Sequence, residues 1–488
     1  MMTLQKILAR SLSRMTAAAL LLIVNTSTTT LAEPPRPTTA PAYAERYRPQ
    51  FHFTSSTDWI NDPNGLVFLD GEYHLFFQRV PGSNDGNTNT KSWGHAISTD
   101  LVHWRQRAAD ALLPDAAGSI WSGSAVVDWK NTSGFGIDGK LPLVAAYTNA
   151  RDPFDQRLAW STDRGRTWTK VSEPILRNVH AANRDPKIIW HEPTQRWIMA
   201  LYLDRRSHFA LYDSPDLKAW TKLQDVTLDG DDECPDFFPL NLDGDASKQK
   251  WIYTGANGRY VVGSFDGRSF TPESDVLDSE RGPGTFYAAQ TYSDVPAADG
   301  RRIQIGWLRN GRYPDMPFNQ QLSFPCELTL RSTPRGPRLH RWPVREIASL
   351  YGQNHQWRDA ALPADRDLLN GLRGDCFDVD AEIEVGSARE IILNVRGMPI
   401  AFRAEGTASG SLACWDRRAT LAPLQGRIKL RVLVDRTSIE IFASDGALVM
   451  SGCFLPADDQ KALSLTAHGG AAKVVSLTIH ELKSAWSH

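Results

Sequence analysis

Three acidic residues in the first half of the chain share one local design: a carboxylate in a short loop stiffened by its neighbours. Asp62 lies in Trp59-Ile60-Asn61-Asp62-Pro63-Asn64-Gly65, Asp185 in Arg184-Asp185-Pro186, and Glu233 in Glu233-Cys234-Pro235-Asp236-Phe237-Phe238. Pro63 fixes φ and lacks an N–H, while Gly65 permits φ > 0, so the first loop can hold a short side chain in one place. Taken alone it is also an ordinary turn sequence. Arg184 beside Asp185 favours the ionised acid, because an adjacent cation stabilises the charged form. Glu233 enters an apolar aromatic run, where burial disfavours charge and the acid keeps its proton near neutral pH. One ionised carboxylate and one protonated carboxylic acid form the pair that retaining glycoside hydrolysis needs. No phosphate-binding loop, Gly-x-Ser-x-Gly elbow or His-rich metal cluster competes, so neither metal nor cofactor is expected.

The elements that must position these acids read as short β-strands. Leu66-Val67-Phe68-Leu69 leads through Asp70-Gly71 into Tyr73-His74-Leu75-Phe76-Phe77-Gln78, and two apolar runs across Asp-Gly are a strong hairpin signal. A Ser-x-Asp turn closed by an aromatic recurs at Ser98–Trp104, Ser161–Trp168, Ser214–Trp220 and Ser264–Phe270, each time after an apolar run. A repeat of about 40–50 residues with such a turn is the mark of a propeller blade. Four marked units and one unmarked predict five blades. The three acids fall in successive parts of the repeat, as residues converging on an axial funnel from different blades do.

From about residue 346 the pattern changes. Residues 346–373 are mixed, with room for a short connecting helix. Beyond them Ile428, Leu430, Val432 and Val434 share one face, and Asp435-Arg436 and Asp445-Gly446 turn between further strands. Such short alternating runs predict an antiparallel β-sandwich. The fold class is therefore all-β, a five-bladed propeller over 49–345 followed by a sandwich over 346–488. A chain of 488 residues also favours two domains over one core.

Before the propeller, Lys6, Arg10 and Arg14 precede an apolar run from Met15 to Val24 and the small-residue site Thr30-Leu31-Ala32. This is the layout of a secretory signal, assigned to residues 1–32, and the apolar run is too short to span a bilayer. Residues 33–48, rich in Pro, Thr and Ala, read as an extended linker. The mature protein is expected to be secreted or periplasmic, without membrane insertion. A net charge of −2, from 54 basic and 56 acidic residues, gives no electrostatic reason to expect nucleic acid as a partner. Five cysteines without paired short spacing form neither a disulfide framework nor a zinc site.

On these motifs the chain resembles glycoside hydrolase family 32, which includes levanases, exo-inulinases and invertases. The three acidic segments match the family's three signatures in order. Phe77-Gln78, Trp93-Gly94-His95, Trp121-Ser122-Gly123-Ser124 and Phe286-Tyr287-Ala288-Ala289-Gln290 support the match. The resemblance implies Asp62 as nucleophile, Glu233 as acid/base and Asp185 as the group that grips the fructose hydroxyls. It implies sugar contacts by Trp59, Asn61, Gln78, Trp93, Trp121, Ser122 and Arg184, and by Trp307. The implied substrate is a fructan or fructo-oligosaccharide, and sucrose is also within the family's range. Thr285 stands where the family often has an acid before Phe-Tyr-Ala. A different five-bladed glycosidase of the arabinanase–xylosidase kind, a fructosyltransferase and an inactive sugar-binding relative are the alternatives. The order Asn-Asp-Pro-Asn-Gly then Glu-Cys-Pro disfavours the arabinanase–xylosidase kind, and all three acids being present disfavours loss of activity.

Overall fold

The computed structural model describes residues 43–486, apart from 87, 89, 181, 182, 205, 206 and 407. The secretory-signal assignment and most of the linker assignment lie outside these residues. The linker's last part does not. Tyr43 stacks on Trp486 at 4.1 Å, and Arg48 is fully buried, bonded to Glu45, Thr54 and the Ser55 carbonyl. Composition read this stretch as extended linker. A buried guanidinium with its partners in place corrects that reading for 43–48.

Five sheets lie between Asp58 and Pro343, each with four antiparallel strands running outward in chain order, and in the first the short strand Phe318–Asn319 also pairs in parallel with Asp58–Leu69. Their innermost strands are Asp58–Leu69, Ile120–Val127, Arg184–His191, Asp236–Asn241 and Phe286–Thr291. These five neighbour one another in turn, and the first touches the last, closing a ring. The chain is a five-bladed propeller. Asp70 and Gly71, both at positive φ, make the predicted tight turn of the first hairpin. Each Ser-x-Asp repeat sits between the third and fourth strands of a blade. There Asp100, Asp163, Asp216 and Asp266 each accept two backbone N–H groups of their own turn. In the fifth blade that turn is Ser332 to Gly336, and Asp243 from the fourth blade supplies the carboxylate instead.

Polar side chains stitch the inner strands across the axis. Ser124 donates to the Pro186 carbonyl, Lys187 to the Thr291 carbonyl and Gln290 to the Gly123 carbonyl, while Asp236 accepts the Thr291 N–H. Buried polar groups need such partners, and their mutual bonds fill the axis beneath the site.

The remaining strands form a six-stranded and a five-stranded antiparallel sheet between Tyr351 and Leu482. Ile428, Leu430, Val432 and Val434 all face the core between them, as their alternation requires. This is the β-sandwich. The mixed stretch after 345 holds a single 3-10 helix, Arg345–Leu350, and then a twelve-residue edge strand, Tyr351–Leu362. The sandwich packs on the propeller through Leu433, Phe442 and Val449. Buried His52 bridges Asp435 at 2.9 Å and Glu440 at 3.0 Å across that interface.

Candidate active site

Four of the five inner strands break register near their starts, each setting two residues against one on the neighbouring strand. The bulged pairs are Asn61–Asp62, Trp121–Ser122, Asp185–Pro186 and Ala288–Ala289. A bulge of this kind re-aims side chains that regular pleating would send to the blade faces. The sequence favours the bulges where they occur. Pro63 and Pro186 have no N–H to lose, and a Cβ on Gly123 would lie 2.0 Å from the Ala146 carbonyl oxygen. Gly65, at φ +52°, lets Phe76 and Trp93 pack against its backbone just after Asp62. The fourth blade instead delivers Glu233 from the loop before its inner strand, with Glu233 and Cys234 both in the left-handed region.

These features bring Asp62, Asp185 and Glu233 to one cavity of about 330 Å³. Asp62 accepts hydrogen bonds from Ser122 Oγ at 2.5 Å and Asn61 Nδ2 at 3.2 Å. Asp185 accepts the Cys234 N–H at 3.1 Å, and the Cys234 sulfur lies 3.5 Å from Asp185 and 3.7 Å from Asp62. Glu233 is gripped by Arg184 Nη2 on one oxygen and by Tyr287 OH, at 2.6 Å, on the other.

Neighbours in sequence proved a poor guide to the charges. Arg184 turns its terminal nitrogen to Glu233, leaving Nε 3.8 Å from Asp185. Burial pushes the Asp185 carboxyl up to about 7; Arg184 opposes the shift, while Glu233 and Asp62 add to it. Burial also pushes Glu233 up, but Arg184, the Tyr287 hydrogen bond and Arg309 outweigh it and hold that carboxyl below its ordinary range. These directions run opposite to the sequence expectation: the surroundings favour the neutral form of Asp185 and the ionised form of Glu233. Glu233 meets cations and a phenol, not the apolar run that follows it in sequence. Asp62 is raised, chiefly by burial.

Trp59, Asn61, Gln78, Trp121, Ser122, Arg184 and Trp307 all line the cavity, as expected of sugar-binding residues. Trp93 does not. It is fully buried, and its indole N–H donates to the Trp121 carbonyl at 3.0 Å, which makes it the support behind that bulge. Asn61 Oδ1 and Trp121 Nε1, both buried, have no hydrogen-bond partner among the described residues. Trp307 stands edge-on between Trp59 and Tyr287. Thr285 lies behind the wall, its carbonyl accepting the N–H of Arg309, whose guanidinium stacks on Tyr287 at 4.0 Å. Sequence reasoning missed Lys91, Gly86 and Tyr287 as lining residues. Tyr287 was within reach, since it sits in a segment already singled out; Lys91 and Gly86 lie in a polar loop that carries no pattern.

Comparison with known proteins fits this geometry. The N-terminal domain model of glycosyl hydrolases family 32 matches residues 52–343, and the C-terminal model of the same family matches 346–481. The chain is 39% identical to a levanase of Bacillus subtilis (strain 168), over 91% of this chain and 72% of that one. It is 31% identical to an extracellular exo-inulinase of Aspergillus ficuum, over 91% of this chain and 96% of that one. A crystal structure of exo-inulinase from Aspergillus awamori superposes with a TM-score of 0.81 at 29% identity, covering 91% of this chain and all of that one. The chain belongs to glycosyl hydrolase family 32.

Proposed function

We propose that this enzyme is an exported, retaining β-fructosidase that releases fructose from the ends of levan, inulin and fructo-oligosaccharides, with sucrose as a further substrate. The observation that carries the reading is the convergence of Asp62, Asp185 and Glu233, from three blades, on one cavity whose floor is filled by bonded side chains. A cavity of about 330 Å³ suits a single terminal sugar. The levanase and exo-inulinase relatives support the substrate class, and the extracellular relative supports export.

In this reading Asp62 attacks C2 of the terminal fructosyl residue as the C2–oxygen glycosidic bond breaks, and Glu233 gives its proton to the departing oxygen. Water then attacks C2 of the fructosyl ester, Glu233 takes the water's proton, and Asp62 leaves as a carboxylate. Asp185 holds ring hydroxyls and tightens as the ring gains positive charge. These preferences define what binding must accomplish. The entering sugar offers donors to Asp185, which favours its ionised form and the passage of its proton to Glu233. Coupled carboxyls share protons in this way.

Digestion of levan, inulin and sucrose in water containing methanol tests the reading. The expected products are free fructose and methyl β-D-fructofuranoside. The α-anomer would overturn retention, oligomers from the polymers would overturn end-wise action, and longer sugars built from sucrose would make the enzyme a transferase.

A further inference from the structure

The positive charges of the site are unevenly shared. Arg184 is committed to Glu233, and Arg309 supports that same carboxylate from behind Tyr287. Asp62 is bonded by two neutral donors, Ser122 and Asn61, lies 3.7 Å from the Cys234 sulfur, and feels the charges of Glu233 and Asp185. Burial and Glu233 both favour its neutral form, yet a nucleophile must be ionised. Among the described residues lining the cavity, Arg184 and Lys91 are the two cations.

Lys91 is held at both ends. Its backbone N–H donates to Ser119 Oγ at 2.7 Å, and its carbonyl accepts the Ile120 N–H at 3.0 Å. These bonds tie it to the start of the second inner strand, beside the Trp121–Ser122 bulge. Its ammonium lies 5.3 Å from the centre of the Trp121 ring and 3.4 Å from Gln78 Oε1. Gln78 Oε1 in turn accepts from Asn61, which also bonds Asp62. A lysine on a solvated loop sweeps a wide volume, because its stem has four rotatable carbons. This one is confined to the side of the cavity that Arg184 leaves uncompensated.

We propose that Lys91 is a positioning residue for the nucleophile: its ammonium, fixed between Gln78 and the Trp121 ring, offsets the charge of Asp62 and keeps that carboxylate ionised while Arg184 serves Glu233. A cation held there acts against the effect of burial on the Asp62 carboxyl. The inference rests on Asp62 being the nucleophile.

The test is kcat/KM against pH for the full chain, K91M and K91R, with a thermal melt of each. Removing the ammonium raises the Asp62 carboxyl. The acid limb of K91M should therefore move up by about one pH unit, a roughly tenfold loss on the acid side. The loss at the plateau is smaller, and K91R keeps the acid limb in place. An unmoved acid limb in a K91M enzyme that melts normally would overturn the proposal. So would a rise in KM equal at every pH, which would make Lys91 a sugar contact alone. If K91M melts early, K91Q carries the same comparison. Failure of the nucleophile reading shows separately, as turnover that survives in Asp62→Ala whatever Lys91 does.

Discussion

The propeller and the sandwich are built from the same antiparallel strands, and they differ in how regular those strands are. In the sandwich, Phe377–Glu384 pairs with Arg427–Val434 through eight residues without a shift and Glu390–Val395 with Met398–Ala404 through six, and the register shifts lie only along Ala472–Leu482. Apolar residues alternate inward, and the side chains meet in one core. In the propeller, four inner strands break register within their first residues, Asp62 and Asp185 sit at two of those breaks, and Glu233 is itself at positive φ in the loop before its strand. A regular ladder optimises packing because each residue has its fixed face. Catalysis needs several side chains aimed at one point, and only irregular backbone aims them. Stability and chemistry are thus divided by region, and substitutions should separate them.

The largest effect is expected where irregularity carries the nucleophile. Asp62→Ala should lower kcat on any fructoside by on the order of 10⁵-fold, as loss of a covalent nucleophile does elsewhere, with little change in melting temperature. Ile441, wholly buried in the sandwich core, should do the opposite. Ile441→Ala should cost about 2–5 kcal/mol of stability and leave kcat near its original value. Steady-state rates and denaturant titrations of the two variants check both halves. A sandwich variant that lost rate without losing stability would show that this region completes the site.

Legibility in the sequence followed the same division. The first hairpin, the four Ser-x-Asp turns and the inward face of Ile428 to Val434 were readable because each is set by residues close in sequence. The acids were readable because Pro63, Gly65 and Pro186 constrain backbone beside them. The partners were not. Arg184 adjoins Asp185 in the chain, yet it reaches Glu233, and Glu233 adjoins an apolar run yet meets Tyr287 and Arg309. Charge in a site depends on which blades converge, and local pattern does not record that. Tyr351–Leu362 escaped for another reason: it is an edge strand, largely exposed along its length, so burial imposes no alternation on it. Trp93 was expected as a sugar contact because it matches a sugar-binding position of the family, while its ring packs in the core between blades.

A finer test lies at Gly65, where one position serves packing and chemistry together. A Cβ there would stand 2.8 Å from the Phe76 ring and 3.1 Å from Trp93, on backbone at φ +52°. Gly65→Ala should cost about 2–3 kcal/mol through strain and overpacking. Because Asp62 lies three residues away on the same bulged strand, a shift of its carboxylate should also lower kcat by about 10²-fold. Loss of stability with full activity would mean that the bulge at Asn61–Asp62 holds itself without Gly65.

The smallest effect on catalysis is expected at the seam between the two regions. His52 is wholly buried between Asp435 and Glu440, and Asp435 also accepts the backbone N–H groups of Gln50, Phe51 and His52. Burial opposes its charge, but the hydrogen bonds and charges of Asp435 and Glu440 prevail and raise it from 6.5 to about 9. A group whose folded pKa is raised stabilises fully below the unfolded value and loses that contribution as pH climbs through the folded one. The window here is pH 6.5 to about 9, and the contribution is on the order of 3 kcal/mol. Asp435 is shifted the other way, below its ordinary range, so its own loss falls at acid pH, outside this window. Denaturant titrations should show stability declining between neutral pH and pH 9 in the native chain and a flatter profile in His52→Gln. The catalytic pH profile should not follow that decline, because none of the three acids touches His52. If activity and stability fell together across the same window, the seam would govern the site, and the division between a chemical region and a structural one would fail at the place where they are joined.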